Sequence, residues 1–228
     1  MAQRSAIIIP AYNEGEYLQS TLQAVRQFDV PGTKEVIVIN DGSSDDTARI
    51  AESWADAVVH LPENRGKGYA LWRGIQAANA DFFLFLDADL AETARYGSSL
   101  LEALYRGTTK DLVIAALPPG QKSGFGMAKK TASRAIYHLT GWKIAAPLSG
   151  QRALSRKAVQ AVTDWDCGFG IEVAMTIDIA RAGLTVYEVS YPFSHRERGK
   201  TIGGFLHRGR QYAAIRRVIR QKRQEGRL

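Results

Sequence analysis

Two periods alternate along this chain. Short runs that are almost continuously apolar and rich in β-branched residues stand at 6–9, 36–39, 57–61, 82–86 and 112–117, each the pattern of a strand buried on both faces. Between them the apolar positions fall three and four apart, as helices with one buried face require. One such stretch runs over 14–28 with Leu18, Leu22 and Val25 aligned, and a second carries Ile50 and Trp54 behind a cap at Ser44 or Asp45. Others cover 68–78 and 92–105. Beyond residue 117 a glycine-bearing segment runs into a helix before Gly141. A glycine-rich turn at 168 then feeds a helix to 183, 185–193 reads as a strand, and the tail after Gly204 as a last helix.

Strands alternating with helices predict an α/β domain over 1–204 whose sheet is parallel and covered on both faces, followed by a basic amphipathic helix at 205–228. In such sheets ligands lie beyond the carboxyl ends of the strands. Four polar motifs fall at that edge: PAYNE after the first run, NDGSSDD after the second, NRGKG after the third and DAD after the fourth.

The last of these has the sharpest chemistry. FFLFLDADL ends in Asp87 and Asp89, and residues i and i+2 on a strand share a face. The pair can therefore converge on one hard cation such as Mg2+ or Mn2+. PAYNE supplies a ring at Tyr12 and an acid at Glu14, suited to flanking a base or ribose. A turn with Pro10 at the strand end and Asn13 as helix cap explains the same letters. Asp41 could accept a hydrogen bond from a pyrimidine N–H, or close an Asx turn with Gly42 at positive φ. Gly66 and Gly68 let backbone approach a ligand while Lys67 offers a cation to phosphate.

Composition narrows the class only a little. The 228 residues suffice for one α/β domain with a sizeable core, and 45% hydrophobic with 23% charged residues is ordinary for a soluble globular protein. A single cysteine, Cys167, excludes an internal disulfide, and no motif nearby activates it. The start MAQRSAIII lacks a signal-peptide pattern, and no apolar stretch approaches the roughly 18 residues that span a bilayer. A cytoplasmic protein, free or peripheral at the inner face of a membrane, is the expectation. Charge is uneven. Residues 196–228 hold eleven Lys or Arg against two Glu, a net of +9 that leaves −2 for the rest of a chain whose formal charge is +7.

The ordered set PAYNE, NDGSSDDT, GKGYALWRG and DADL resembles the family 2 glycosyltransferases, which have the GT-A fold, a Rossmann-like, mostly parallel sheet. The resemblance covers about residues 5–195. Residues 66–90 look most like soluble glucosyl-3-phosphoglycerate synthases, and 149–152 more like polyprenyl-phosphate sugar synthases. The resemblance implies a nucleotide-sugar donor, with UDP-glucose expected, in the half 1–117. Pro10, Ala11, Tyr12, Glu14 and Asp41 would hold the nucleoside, and Gly66 and Lys67 would reach the base or diphosphate. Asp87 and Ala88 would lie near the ribose, and Asp89 would bind the metal with Asp87. It also implies a third ligand at His195, in a SHR turn after the 185–193 strand, ahead of His60, His138 and His207. Asp89 and Glu172 are the catalytic candidates, the first stabilising charge on the leaving diphosphate and the second orienting or deprotonating an acceptor hydroxyl. An acid merely favoured by a helix N-terminus explains Glu172 as well.

The half 118–204 would supply the acceptor site. Ser149, Gly150, Gln151 and Arg152 resemble the segment that meets a polyprenyl phosphate, although Gln151 stands where those enzymes carry an aromatic residue, and a structural Arg152 paired with an acid fits too. Lys129, Lys130 and Arg134 offer cations to a phosphorylated or lipid-linked acceptor, with Gly124 and Gly126 as hinges, or are solvated surface charge. In the tail, Tyr212, Ile215 and Ile219 form an apolar stripe beside a polybasic face. It can dock on anionic lipid, on its own domain or on a second subunit in a homodimer. Nothing in its spacing supports nucleic acid. Two other functions compete: a sugar nucleotidyltransferase, which lacks its GxGxR loop here, and a non-catalytic peripheral membrane scaffold that keeps a UDP pocket.

Overall fold

The computed structural model describes residues 3–106, 110–118, 126–193 and 202–225, apart from the side chains of 202–208 and 210. In chain order the elements are β1 (Arg4–Ala11), α1 (Gly15–Gln27), β2 (Thr33–Asp41), α2 (Thr47–Trp54), β3 (Ala57–Leu61), α3 (Lys67–Ala77) and β4 (Phe82–Phe85). A 3-10 turn at Ala91–Tyr96 leads into α4 (Gly97–Tyr105), then β5 (Leu112–Ala116), α5 (Gly126–Thr140), β6 (Arg152–Ser155) and α6 (Arg156–Ala161). A short 3-10 turn at Gly168–Gly170 precedes α7 (Ile171–Arg181), β7 (Val186–Ser190) and α8 (Ile202–Glu225).

The strands form one sheet in the order β3-β2-β1-β4-β6-β5-β7. All run the same way except β6, which is antiparallel to both β4 and β5. The sheet is therefore mostly parallel, as the resemblance implies, with one antiparallel strand that the apolar pattern does not reveal, because Arg152–Ser155 has only four residues behind a glycine and carries an arginine. Helix 92–105 was also expected as one piece. Its first turns are 3-10, and Ala91 enters them with φ at +47°.

Alternation along each strand builds two core layers. Ile8, Ile37, Ile39, Phe83 and Phe85 face α3, α5, α7 and α8. Ile7, Ile9, Val36, Val38 and Leu84 face α1, α2 and α4. Helix α3 lies so close to the sheet that a Cβ on Gly74 would stand 2.5 Å from Ile8 and 2.7 Å from Ile39. Cys167 bonds the carbonyl of Asp164, and burial together with that acid pushes its thiol up to about 12. It is a packing residue.

Helix α8 packs on its own domain against α7, α5 and the Gly168–Gly170 turn. Ile215, Val218 and Ile219 are buried, while Arg216, Arg217, Arg220 and Arg223 face outward. Its anchor is Lys222, fully buried, with Nζ 2.7 Å from Asp178 Oδ1 and 2.8 Å from Thr163 Oγ1. Burial alone would lower the pKa of that ammonium, but the bond and charge of Asp178 raise it. Removing one partner of a buried pair leaves the other charge uncompensated. Lys222→Met should therefore cost about 3 kcal/mol, read as a lower urea midpoint at unchanged slope.

Candidate active site

The chain passes from β1 outward through β2 to β3 and then returns to β4 on the other side of β1. The crevice between β1 and β4 is thus the topological switch point, where open α/β sheets bind ligands. Because β1 to β4 are parallel, the loops after residues 11, 41, 61 and 85 share one rim. Antiparallel β6 starts at that rim, which brings Ser149, Gly150 and Gln151 to it, and the first turn of α7 adds Glu172.

Side-chain-to-backbone bonds lace the loops together. Asn13, at φ +53°, accepts from the amide of Ser44 at 2.9 Å, and its own N–H bonds Ser43 Oγ at 3.0 Å. It bridges two loops and does not cap α1. Glu14 N–H bonds Thr47 Oγ1 at 2.9 Å, and Asp45 accepts from Gly15 and Thr47. Burial alone would raise the Asp45 carboxyl, but those bonds hold it below its ordinary value. Asp41 is buried and spends both oxygens on the NRGKG loop, accepting from Arg65 N at 2.8 Å and Gly66 N at 2.9 Å. In this structure it orders that loop. Tyr12 is 48% exposed, with its ring available at the rim.

Lys67 is the centre of the site. Its Nζ lies 2.5 Å from Asp87 Oδ1 and 2.8 Å from Glu172 Oε1, and Gln151 Nε2 donates to Asp87 Oδ2 at 2.7 Å. Burial disfavours the ammonium, yet the two carboxylates outweigh it and raise the pKa above the ordinary lysine value. Two glycines make the approach possible. A Cβ on Gly68 would stand 2.0 Å from the carbonyl of Trp165, and one on Gly150 would lie 2.4 Å from Lys67 Nζ and 2.6 Å from Asp87 Oδ2.

Arg152 is wholly buried. Its guanidinium donates to Ser149 O at 2.8 Å, Pro147 O at 3.0 Å and Thr176 Oγ1 at 2.9 Å. Burial lowers its pKa to about 10 despite the nearby charges of Glu172, Glu188 and Asp87. Here it shapes the 147–149 turn. Glu188 supports the same turn from β7, accepting from the amides of Ala145 and Ala146.

One residue that sequence reasoning passed over, Thr21, and one that it assigned to the acceptor, Gln151, hold the carboxylates in place. The buried hydroxyl of Thr21 donates to Ala88 O and accepts from Ala91 N, both at 2.8 Å, so helix α1 grips the DADL turn on either side of Asp89. The signal was a polar residue in line with Leu18, Leu22 and Val25 on a buried face. Gln151, expected at the acceptor, fixes the second oxygen of Asp87.

The donor set fits a divalent ion that is shared with substrate phosphates, which needs only one or two protein carboxylates. Asp89 stands half-buried just past β4, on the wall of a cavity of about 560 Å3 between α1 and the Ala91–Tyr96 turn. Asp87 stands two residues before Asp89, bonded to Lys67 and Gln151. Among the described residues no cluster of three His, Cys, Asp or Glu stands ready for a metal. His195 lies outside the described residues. Gly124 lies outside them as well.

A mostly parallel seven-stranded sheet of this order, with helices on both faces, is a GT-A-like fold. A family model described as "Glycosyl transferase family 2" matches residues 6–163, and the chain belongs to that family. It is 32% identical over 223 residues to an undecaprenyl-phosphate mannosyltransferase of Micrococcus luteus, 89% of each chain. It is 31% identical over 193 residues to glycosyltransferase AglJ of Haloferax volcanii, 81% of this chain but 62% of that protein. The chain thus spans less than two thirds of that relative. The structure superposes on glucosyl-3-phosphoglycerate synthase of Mycobacterium tuberculosis in complex with phosphoglyceric acid with a TM-score of 0.80 at 25% identity, covering 96% of this chain and 80% of that one.

Thr21→Val keeps the shape but leaves a buried carbonyl and a buried N–H unmet. We expect it to lower stability by about 1–3 kcal/mol, with Thr21→Ser recovering most of the loss in urea denaturation. Lys67 gives a second expectation. Its folded pKa is raised above the ordinary 10.5, so its contribution is complete below that pH and lost only as pH rises through the higher folded value. The stability gap between the native chain and Lys67→Met should be the same at about pH 7 and pH 9. A gap that closes by the upper pH would show the ammonium is not held this way.

Proposed function

We propose that this chain is a metal-dependent hexosyltransferase that moves a hexose from a nucleotide sugar, UDP-glucose, to an acceptor carrying a phosphate, either a small phosphorylated molecule or a lipid-linked one. The observation that carries the proposal is the meeting of Asp87, Lys67 and Glu172 with Asp89 beside them at the switch point. That arrangement sets a donor-side carboxylate and an acceptor-side carboxylate on one cation. The relatives support it. The mycobacterial synthase has been solved with Mn2+, uridine-diphosphate-glucose and phosphoglyceric acid, and the Micrococcus relative is named for undecaprenyl phosphate.

The ring of Tyr12, with Pro10, Ala11 and Glu14, flanks the nucleoside. Asp41 acts on it through the Gly66 loop that it holds. Asp87 and Ala88 lie at the ribose. Asp89, with Asp87 and His195, holds a Mg2+ or Mn2+ ion, which when bound stabilises negative charge on the departing diphosphate. Lys67 holds Asp87 and Glu172 at a fixed separation. Ser149, Gly150 and Gln151 line the acceptor approach with Arg152 behind them, and Glu172 accepts the hydrogen bond of the acceptor hydroxyl and so orients it.

Calorimetry of UDP with and without Mn2+ tests the reading. The native chain should release Mn2+-dependent heat, and Asp89→Asn should lose it, with transfer from UDP-glucose falling by roughly 10²–10³-fold. UDP heat that ignores both the metal and Asp89→Asn would discard the metal role. Heat without transfer to any phosphorylated acceptor would favour a binding scaffold.

A further inference from the structure

The charges of the chain are segregated in a way the active site does not use. No Asp or Glu stands between Asp111 and Asp164, whereas that stretch carries lysine or arginine at 122, 129, 130, 134, 143, 152, 156 and 157. Helix α5 lies inside it. Its inner face is apolar and packed, with Ala132, Ala135 and Ile136 buried. Its outer face is formed by Met127, Lys130, Arg134 and Tyr137, spaced three, four and three residues apart and therefore on one side of the helix. All four are exposed, Met127 by 73% and Tyr137 by 47%, which makes them the most exposed and the third most exposed of the large apolar side chains among the described residues.

A wholly soluble helix would put polar residues at those positions. Here two cations alternate with a flexible thioether and an amphipathic ring, the composition of a helix lying at a lipid–water interface. Beside it the turn after α5 adds exposed Lys143, and a hollow of about 360 Å3 opens between Ser133, Arg134, Tyr137 and residues 143–145. Helix α8 packs against α5 and turns Arg216, Arg217, Arg220 and Arg223 outward. The same turn continues to Ser149 and Gly150 at the rim, so this face adjoins the acceptor end of the crevice.

We propose that the outer face of α5 is a docking surface for an anionic lipid bilayer, with Met127 and Tyr137 entering the interface and Lys130, Arg134 and Lys143 meeting headgroup phosphates. The occupant is lipid and not nucleic acid, because an aliphatic thioether exposed at the end of the face gains nothing from a phosphodiester. The inference locates the contact on α5 and not on the terminal helix alone. It deepens the lipid-linked option of the proposed function, but it is read out without donor, metal or turnover. The two can therefore fail separately.

The test is flotation of the full chain with phosphatidylcholine vesicles, with and without phosphatidylglycerol. We expect binding only to the anionic vesicles. Each basic residue near such a surface strengthens binding by about fivefold, so Lys130→Glu with Arg134→Glu should weaken it by more than about tenfold. Met127→Ser with Tyr137→Ser should leave binding at low salt but abolish the part that persists at raised salt. All four positions are exposed, and an unchanged urea midpoint verifies that each variant is folded. Three results would overturn the proposal: no flotation of the native chain, flotation that both α5 variants retain, or displacement from anionic vesicles by an RNA oligonucleotide through the same α5 residues.

Discussion

The site depends on one part-buried cation. Taking an ammonium out of water costs several kcal/mol, and the cost is recovered only where carboxylates meet it at close range. Lys67 meets two, and they come from elements far apart in sequence, Asp87 at the end of β4 and Glu172 in the first turn of α7. Because the ammonium is largely shielded from water beside them, the two carboxylates and the lysine hold one another in place. The Lys67–Asp87 contact is closed on its far side by Gln151 from the start of β6. Four parts of the chain therefore share one electrostatic minimum, and the spacing of Asp87 from Glu172 is set by the single ammonium between them.

The rest of the rim supports that minimum. Asp41 holds the loop from which Lys67 departs, Asn13 and Asp45 tie the first two loops together, and Thr21 fixes the turn that carries Asp89. Each of these bonds runs from a side chain to the backbone of a different loop. Loops at the edge of a sheet are ordinarily its most mobile parts, and here they are cross-linked without any regular structure. The positive φ of Asn13 and of Ala91 marks where backbone strain is accepted to make the links. In each case the strained residue itself takes part in one, through the side chain and N–H of Asn13 and the N–H of Ala91.

Most of the sheet could be read from the sequence, because β1 to β5 are apolar runs separated by helical spacing and the first four end in polar motifs. The motifs also located the rim, since parallel strands send their carboxyl ends to one side. What could not be read were the features set by contacts between distant segments. Arg152 looks like a surface cation for phosphate, and only the fold reveals that it is buried under Thr176 and the carbonyls of Pro147 and Ser149. Gln151 looked like a departure from pattern at an acceptor site and proves to secure Asp87. Gly150 and Gly68 gave no sign of their reason, because an ammonium in one case and a carbonyl in the other must lie where a Cβ would be. Four-residue β6 has too short a period to register.

The balance of charge at the rim bears on how a diphosphate enters. Lys67 is already matched by Asp87 and Glu172, and Arg152 has given its donors to neutral oxygens behind the turn. Against these two cations stand Glu14, Asp41, Asp87, Asp89 and Glu172. On the proposed reading, the pyrophosphate of a nucleotide sugar therefore approaches a region that is acidic on balance, and its own charge must be offset by something brought with it. A divalent ion on Asp89 meets that need without disturbing Lys67. The acceptor phosphate faces the opposite situation, because the chain that leads to Ser149 and Gly150 passes through a long stretch with no acid at all. On that reading one substrate would rely on an imported cation and the other on cations built into the fold, and the asymmetry would set the two ends of the crevice apart electrostatically before either is bound.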